Sequence, residues 1–134
     1  MAPWTSWVTQ YHGDKNAKWI FVTSDAKTVD TDLSMYSFKD SSNSTATVDK
    51  NVNLDIVVDN VIDDVFWNGT SLKSAIVKNT MHFTGLVYSS NSTSTLEIRM
   101  HDTGGAAGLL YSVTDSATGV PYMVSNASTT FKNV

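Results

Sequence analysis

The stretch Asn51-Val52-Asn53-Leu54-Asp55-Ile56-Val57-Val58-Asp59 decides the fold class. Val52, Leu54, Ile56 and Val58 alternate with Asn53, Asp55 and Asp59. That period of two sends successive side chains to opposite faces of a strand, whereas a helix needs apolar residues three and four apart. A half-buried strand is predicted. Leu96, Ile98 and Met100 repeat the pattern, with Thr95, Glu97, Arg99 and His101 on the other face.

Outward from this segment, more strands are expected at Trp4–Tyr11, Trp19–Val22, Thr28–Phe38, Val61–Trp67, Thr80–Tyr88, Leu109–Val113 and Val120–Ser125. Turn residues fall between them: His12-Gly13-Asp14, Asp40-Ser41-Ser42-Asn43, Asn68-Gly69, Ser89-Ser90-Asn91-Ser92 and Thr103-Gly104-Gly105. Asn68-Gly69 between apolar strands is a specific hairpin signal, since both residues tolerate positive φ. Ser71–Asn79 is the one segment that reads as a short helix. Short strands at this spacing predict an all-β, single-domain antiparallel β-sandwich or small jelly-roll or barrel over residues 1–134.

Composition agrees. Glu97 is the sole glutamate, while Ser, Thr, Asn, Asp and Val abound, so straight-chain helix formers are scarce. With 134 residues, 41% of them hydrophobic and 16% charged, the chain can bury a core without staples. It has no cysteine, which excludes disulfides and thiolate chemistry. The net charge is −4 and Arg99 is the lone arginine, so no basic stripe exists to collect phosphates and no nucleic-acid partner is expected. No apolar run reaches membrane-spanning length, and no membrane partner is expected. The start, Met1-Ala2-Pro3-Trp4, lacks a basic stretch followed by an apolar run, so synthesis and folding in a cytoplasm are expected.

Catalytic chemistry finds little to stand on. His12, His82 and His101 lie on different elements. His101-Asp102 could orient an imidazole toward a serine, but no Gly-x-Ser-x-Gly elbow accompanies it. No catalytic residue is assigned. Asp14/Asn16, Asp30/Asp32, Asp55/Asp59 and Asp63/Asp64 are the oxygen pairs a calcium ion would seek, yet none forms an EF-hand loop. Neither metal nor cofactor is expected. Exposed strand aspartates serve equally to discourage edge-to-edge aggregation. Gly104-Gly105 lacks the lysine of a phosphate loop, and the Asn-x-Ser/Thr triplets at Asn43, Asn68, Asn91 and Asn126 are read as chance in so Ser/Thr-rich a chain.

Aromatic residues are more telling. Trp4, Trp7 and Tyr11 crowd one terminal segment, where water is a poor neighbour for them. They are the interface candidates, in an arm over residues 1–12 that packs on its own domain or a neighbouring subunit. The alternative is a sugar platform made of Trp4, Trp67 and Asn68, although Trp19 and Trp67 also read as core.

The segment Gly108-Leu-Leu-Tyr-Ser-Val-Thr-Asp115-Ser-Ala-Thr-Gly119-Val-Pro-Tyr-Met-Val124 sets two apolar strands around an Asp115–Gly119 loop. It resembles hairpins of tailed-bacteriophage virion proteins. The resemblance implies a non-catalytic structural subunit, either a capsid decoration or cement protein or a fibre or appendage adaptor. Such a protein assembles in the host cytoplasm, works in the virion, and partners itself (a homo-oligomer such as a trimer) and other virion proteins. It carries no site residues across. A carbohydrate-binding module or small lectin, using exposed aromatics with Asp and Asn, is the alternative function.

Overall fold

The computed structural model describes Gly13, Ala17, Ile20 and residues 35–59, 61–101, 108–126 and 129–133. The described chain forms nine strands: β1 Met35–Asn43, β2 Lys50–Asp59, β3 Val61–Trp67, β4 Thr70–Ser71, β5 Thr80–Tyr88, β6 Thr93–His101, β7 Gly108–Asp115, β8 Pro121–Val124 and β9 Thr130–Asn133. They make two sheets, ordered β4-β3-β6-β1-β9 and β5-β2-β7-β8, with every pairing antiparallel. The architecture is a β-sandwich.

Its core is the set of inward positions that the alternation marks. Val52, Leu54, Ile56 and Val58 of β2 meet Phe38, Val65, Trp67, Leu96, Ile98 and Met100 of the facing sheet, all buried. Asn68 and Gly69 take φ values of +50° and +83°, the paired positive values of a type I′ turn, and join β3 to β4. On β5, Thr84 and Gly85 stand against the single Asn53, a bulge that Gly85 permits at φ +85°. The bulge twists a nine-residue edge strand that would otherwise present a flat template for another chain.

Four expectations change. β2 is buried on both faces from Leu54 onward, because Asp55, Val57 and Asp59 are 4%, 1% and 0% exposed. Asp55 and Asp59 are therefore not solvent-facing strand charges. Asp40–Asn43 is the end of β1 rather than a turn, since these polar residues pair with Leu96, Thr95, Ser94 and Thr93 of β6. Ser71–Asn79 contains a single 3₁₀ turn, Lys73–Ala75, and Lys78 at φ +57° ends any helical path. Trp67, offered as a sugar platform, lies in the core at 6% exposure, with its indole N–H donating to the Val87 carbonyl at 3.1 Å. Trp4, Trp7 and Tyr11, with the arm they define, lie outside the described residues.

Candidate functional site

At one side of the sandwich the edges of the two sheets meet, and the chain passes from β8 in one sheet to β9 in the other. The crossing is fastened to β7. Ser125 is fully buried; its N–H donates to the Tyr111 carbonyl at 3.0 Å, and its Oγ accepts the Tyr111 N–H at 3.2 Å. The Tyr111 ring points into the sandwich, and its hydroxyl donates to Asp40 Oδ2 at 2.7 Å and shares a 2.6 Å hydrogen bond with Thr129 Oγ1. Burial foremost, with the Asp40 charge adding to it, raises the Tyr111 hydroxyl far above the ordinary tyrosine range. It therefore remains a donor to Asp40 at any physiological pH. Asp40 is thereby held on β1, and its Oδ1 accepts the N–H of Ser41 at 2.8 Å.

A second set of phenols extends this polar layer. The Tyr88 hydroxyl and Ser42 Oγ share a 2.6 Å hydrogen bond between the sheets. The Tyr88 ring stacks on Tyr122 with centroids 4.3 Å apart and planes 17° from parallel. Tyr122 in turn donates to Asp115 Oδ2 at 2.8 Å. Burial, with the neighbouring Asp115 carboxylate and Tyr88, pushes the Tyr122 hydroxyl up to about 12. Its donation, with the N–H groups of Ala117 and Thr118, holds the Asp115 carboxyl below its usual range.

Over this seam lies an open depression of about 210 Å³, bounded by Asp40 and Ser41 on one side and by Pro121–Val124 and Asn126 on the other. Drug-sized pockets run to roughly 300–1,000 Å³, so this one suits a single small ring rather than a large cofactor. Among the described residues its aromatic and polar chemistry is the Tyr122 ring, the Asp40 carboxylate, the Ser41 hydroxyl and the Asn126 amide. The carboxylate keeps acceptor capacity beyond its two internal bonds. The Asn126 amide is oriented by donating through Nδ2 to the Val124 carbonyl at 3.1 Å.

The residues singled out from sequence are placed elsewhere or are occupied. Asn68 is exposed, but its Oδ1 accepts the Thr95 N–H at 2.7 Å as part of the turn. Trp67 and Asn68 therefore do not build a platform together. His101 takes Asp63 as its carboxylate partner, at 2.8 and 2.9 Å, while Asp102 lies outside the described residues. His82 Nδ1 meets Asp55 Oδ1 at 2.5 Å. Among the described hydrogen bonds no serine hydroxyl reaches either imidazole. Asp64 is engaged by the Val65 N–H and the Ser71 hydroxyl. Among the described residues, no three His, Asp or Glu side chains cluster as metal ligands would. The sequence reading missed Tyr122, Asp40 and Asn126. Tyr122 sits in a predicted strand and Asp40 in a predicted turn, and nothing local says that they meet.

No protein-family model and no curated protein matches this sequence. Solved structures do match its shape. The GH78 family rhamnosidase of Bacillus sp. GL1 superposes with a TM-score of 0.68 at 16% identity, over 89% of this chain and 13% of that one. The lectin of Pleurotus ostreatus in complex with GalNAc gives 0.63 at 19% identity, over 88% of this chain and 35% of the lectin. The apo form of that lectin gives 0.61 at 21% identity, with the same coverage. The fold is one shared with a lectin and with part of a rhamnosidase. This chain spans about an eighth of the rhamnosidase and a third of the lectin.

Proposed function

We propose that this protein is a carbohydrate-binding β-sandwich that takes one sugar ring at the seam between its sheets. The observation that carries the reading is the ring-sized depression in which Tyr122, Asp40 and Asn126 converge. A pyranose has an apolar C–H face and a rim of hydroxyls. An aromatic ring suits the first, and a carboxylate acceptor with a donor–acceptor amide suits the second. The likeness of the fold to a GalNAc-complexed lectin supports the same reading. Recognition rather than cleavage is favoured because glycoside hydrolysis typically needs two carboxyl groups flanking the bond, whereas Asp40 is the only carboxylate among the described residues that line the depression.

Isothermal titration against a panel of neutral monosaccharides, with GalNAc and L-rhamnose first, tests the proposal. Binding that Tyr122→Ala abolishes in a variant that still folds is the expected result. Silence across the whole panel overturns it, and release of product from aryl glycosides would replace a binding module with an enzyme.

A virion subunit is a second proposal, resting on the resemblance of the Gly108–Val124 hairpin; that segment folds as β7, a turn and β8. It calls for self-association, so a concentration-independent trimer by light scattering would favour it and a clean monomer would count against it.

A further inference from the structure

A second depression, of about 240 Å³, adjoins the first and shares Asp40 and Ser41 with it. Lys39, Thr95 and Thr130 complete its lining. It arises because β9 ends level with Lys39, at Thr130, while β1 runs on to Asn43. Beyond that point β1 keeps its β6 partner, so Ser41 stands opposite Thr95 at the open notch.

The two depressions differ in charge. The first sets an aromatic ring beside the shared Asp40 and Ser41; the second sets Lys39 and the hydroxyls of Thr95 and Thr130 beside them. Lys39 Nζ is 4.0 Å from Glu97 Oε1, beyond hydrogen-bond distance, and its side chain is 49% exposed. Glu97 is already served by the Ser37 hydroxyl at 2.6 Å and by Arg99 Nε at 2.9 Å. Lys39 is thus ion-paired with Glu97 without a hydrogen bond to it, and its exposed ammonium can turn its donors toward an incoming anion. Asp40 borders both depressions, so it is Lys39, present in the second alone, that sets the direction of such a ligand.

We infer that the two depressions are consecutive subsites for an acidic disaccharide, with a neutral ring beside Tyr122 and the anionic group of its neighbour at Lys39. The inference rests on the carbohydrate-binding reading and adds the ligand class to it. The shared chemistry is a carboxylate or a sulfate on the second sugar.

Titration of the full chain against galacto-, gluco- and manno-configured disaccharides, each neutral, as the uronic acid and as the sulfate, tests it. The expected result is about tenfold tighter binding of an acidic form than of its neutral parent. That preference should shrink on raising the salt, because the site is open. Lys39→Met should abolish the preference, bringing the acidic and neutral forms to equal affinity, and Lys39→Arg should restore it; circular dichroism checks that both fold. Which acid wins names the group. Equal binding of neutral and acidic forms, or a preference that survives Lys39→Met, overturns the inference and leaves the sugar reading standing. No binding by any form overturns the sugar reading itself.

Discussion

The Tyr122 hydroxyl donates to Asp115 Oδ2 at 2.8 Å, while Asp115 Oδ1 accepts the N–H groups of Ala117 and Thr118. One carboxylate thus shapes the β7–β8 turn and also fixes the ring that lines the candidate site. The turn closes with the Gly119 N–H donating to the Asp115 carbonyl at 2.8 Å, with Gly119 at φ +77°. From the other side Tyr88 stacks on the same ring. Turn and site are coupled through a single side chain.

Tyr122→Phe separates the ring from its hydroxyl. The ring and its stack on Tyr88 remain, and one hydrogen bond to a charged acceptor is lost, so stability should fall by about 1–2 kcal/mol. Sugar binding should weaken far less than in Tyr122→Ala. Spectrophotometric titration gives an independent check. The phenol that ionises near 12 should vanish from the profile of the Phe variant. The parent should lose stability from pH 10 upward, where the unfolded chain ionises this residue before the folded one does.

Glu97 makes the opposite prediction at low pH. Burial works to raise its carboxyl, but hydrogen bonds from Ser37 and Arg99 and the charges of Arg99 and Lys39 outweigh that, leaving it below its ordinary 4.5. A depressed carboxyl stabilises the fold above its unfolded value and loses that contribution as pH falls through its folded value. Glu97→Gln should therefore lower Tm at pH 7 by about 3 °C, roughly 1 kcal/mol. The gap between variant and parent should close as the pH is taken below 4.5. A constant gap from pH 7 to pH 3 would show that Glu97 acts by packing rather than by charge.

Much of the fold was legible because local chemistry decided it. Val61–Trp67 and Thr80–Tyr88 are apolar or β-branched segments bounded by Asn-Gly or Ser-Asn turns, and both form strands with the expected limits. The Thr130–Asn133 strand was not legible. It is short and polar and exists because Phe131 and its neighbours pair with β1, where the Phe131 ring lies 6.0 Å from that of Phe38. Nor was β2's second buried face, since Asp55 and Asp59 look like solvent residues until their surroundings are known. The candidate site was hidden for the same reason. Tyr122, Asp40 and Tyr111 occupy three strands in two sheets, and only the packing of one sheet on the other joins them.

Where local sequence did decide, the claim can be tested with a single methyl group. A Cβ on Gly69 would meet nothing within 4 Å, so Gly69→Ala creates no clash and reports only the backbone strain of φ +83°. It should cost about 1 kcal/mol, seen as a lower urea midpoint at unchanged slope. Fold and sugar binding should persist. A much larger loss would mean that the β3–β4 turn does more than reverse the chain.

Tyr111→Phe tests the layer beneath the site. The ring is 1% exposed and fills the same space as Phe, so packing should survive the change. What is lost is the hydroxyl that joins Asp40 on one sheet to Thr129 at the crossing toward β9. Leaving Asp40 Oδ2 without its internal donor should lower stability by about 1–3 kcal/mol. The further consequence is positional. Asp40 borders both depressions, and without Tyr111 only its own Ser41 N–H still orients it. Sugar affinity should therefore fall in Tyr111→Phe although the residue itself lines neither depression. Unchanged affinity in a destabilised variant would show that β1 alone positions Asp40, and that the phenol serves the sandwich rather than the site.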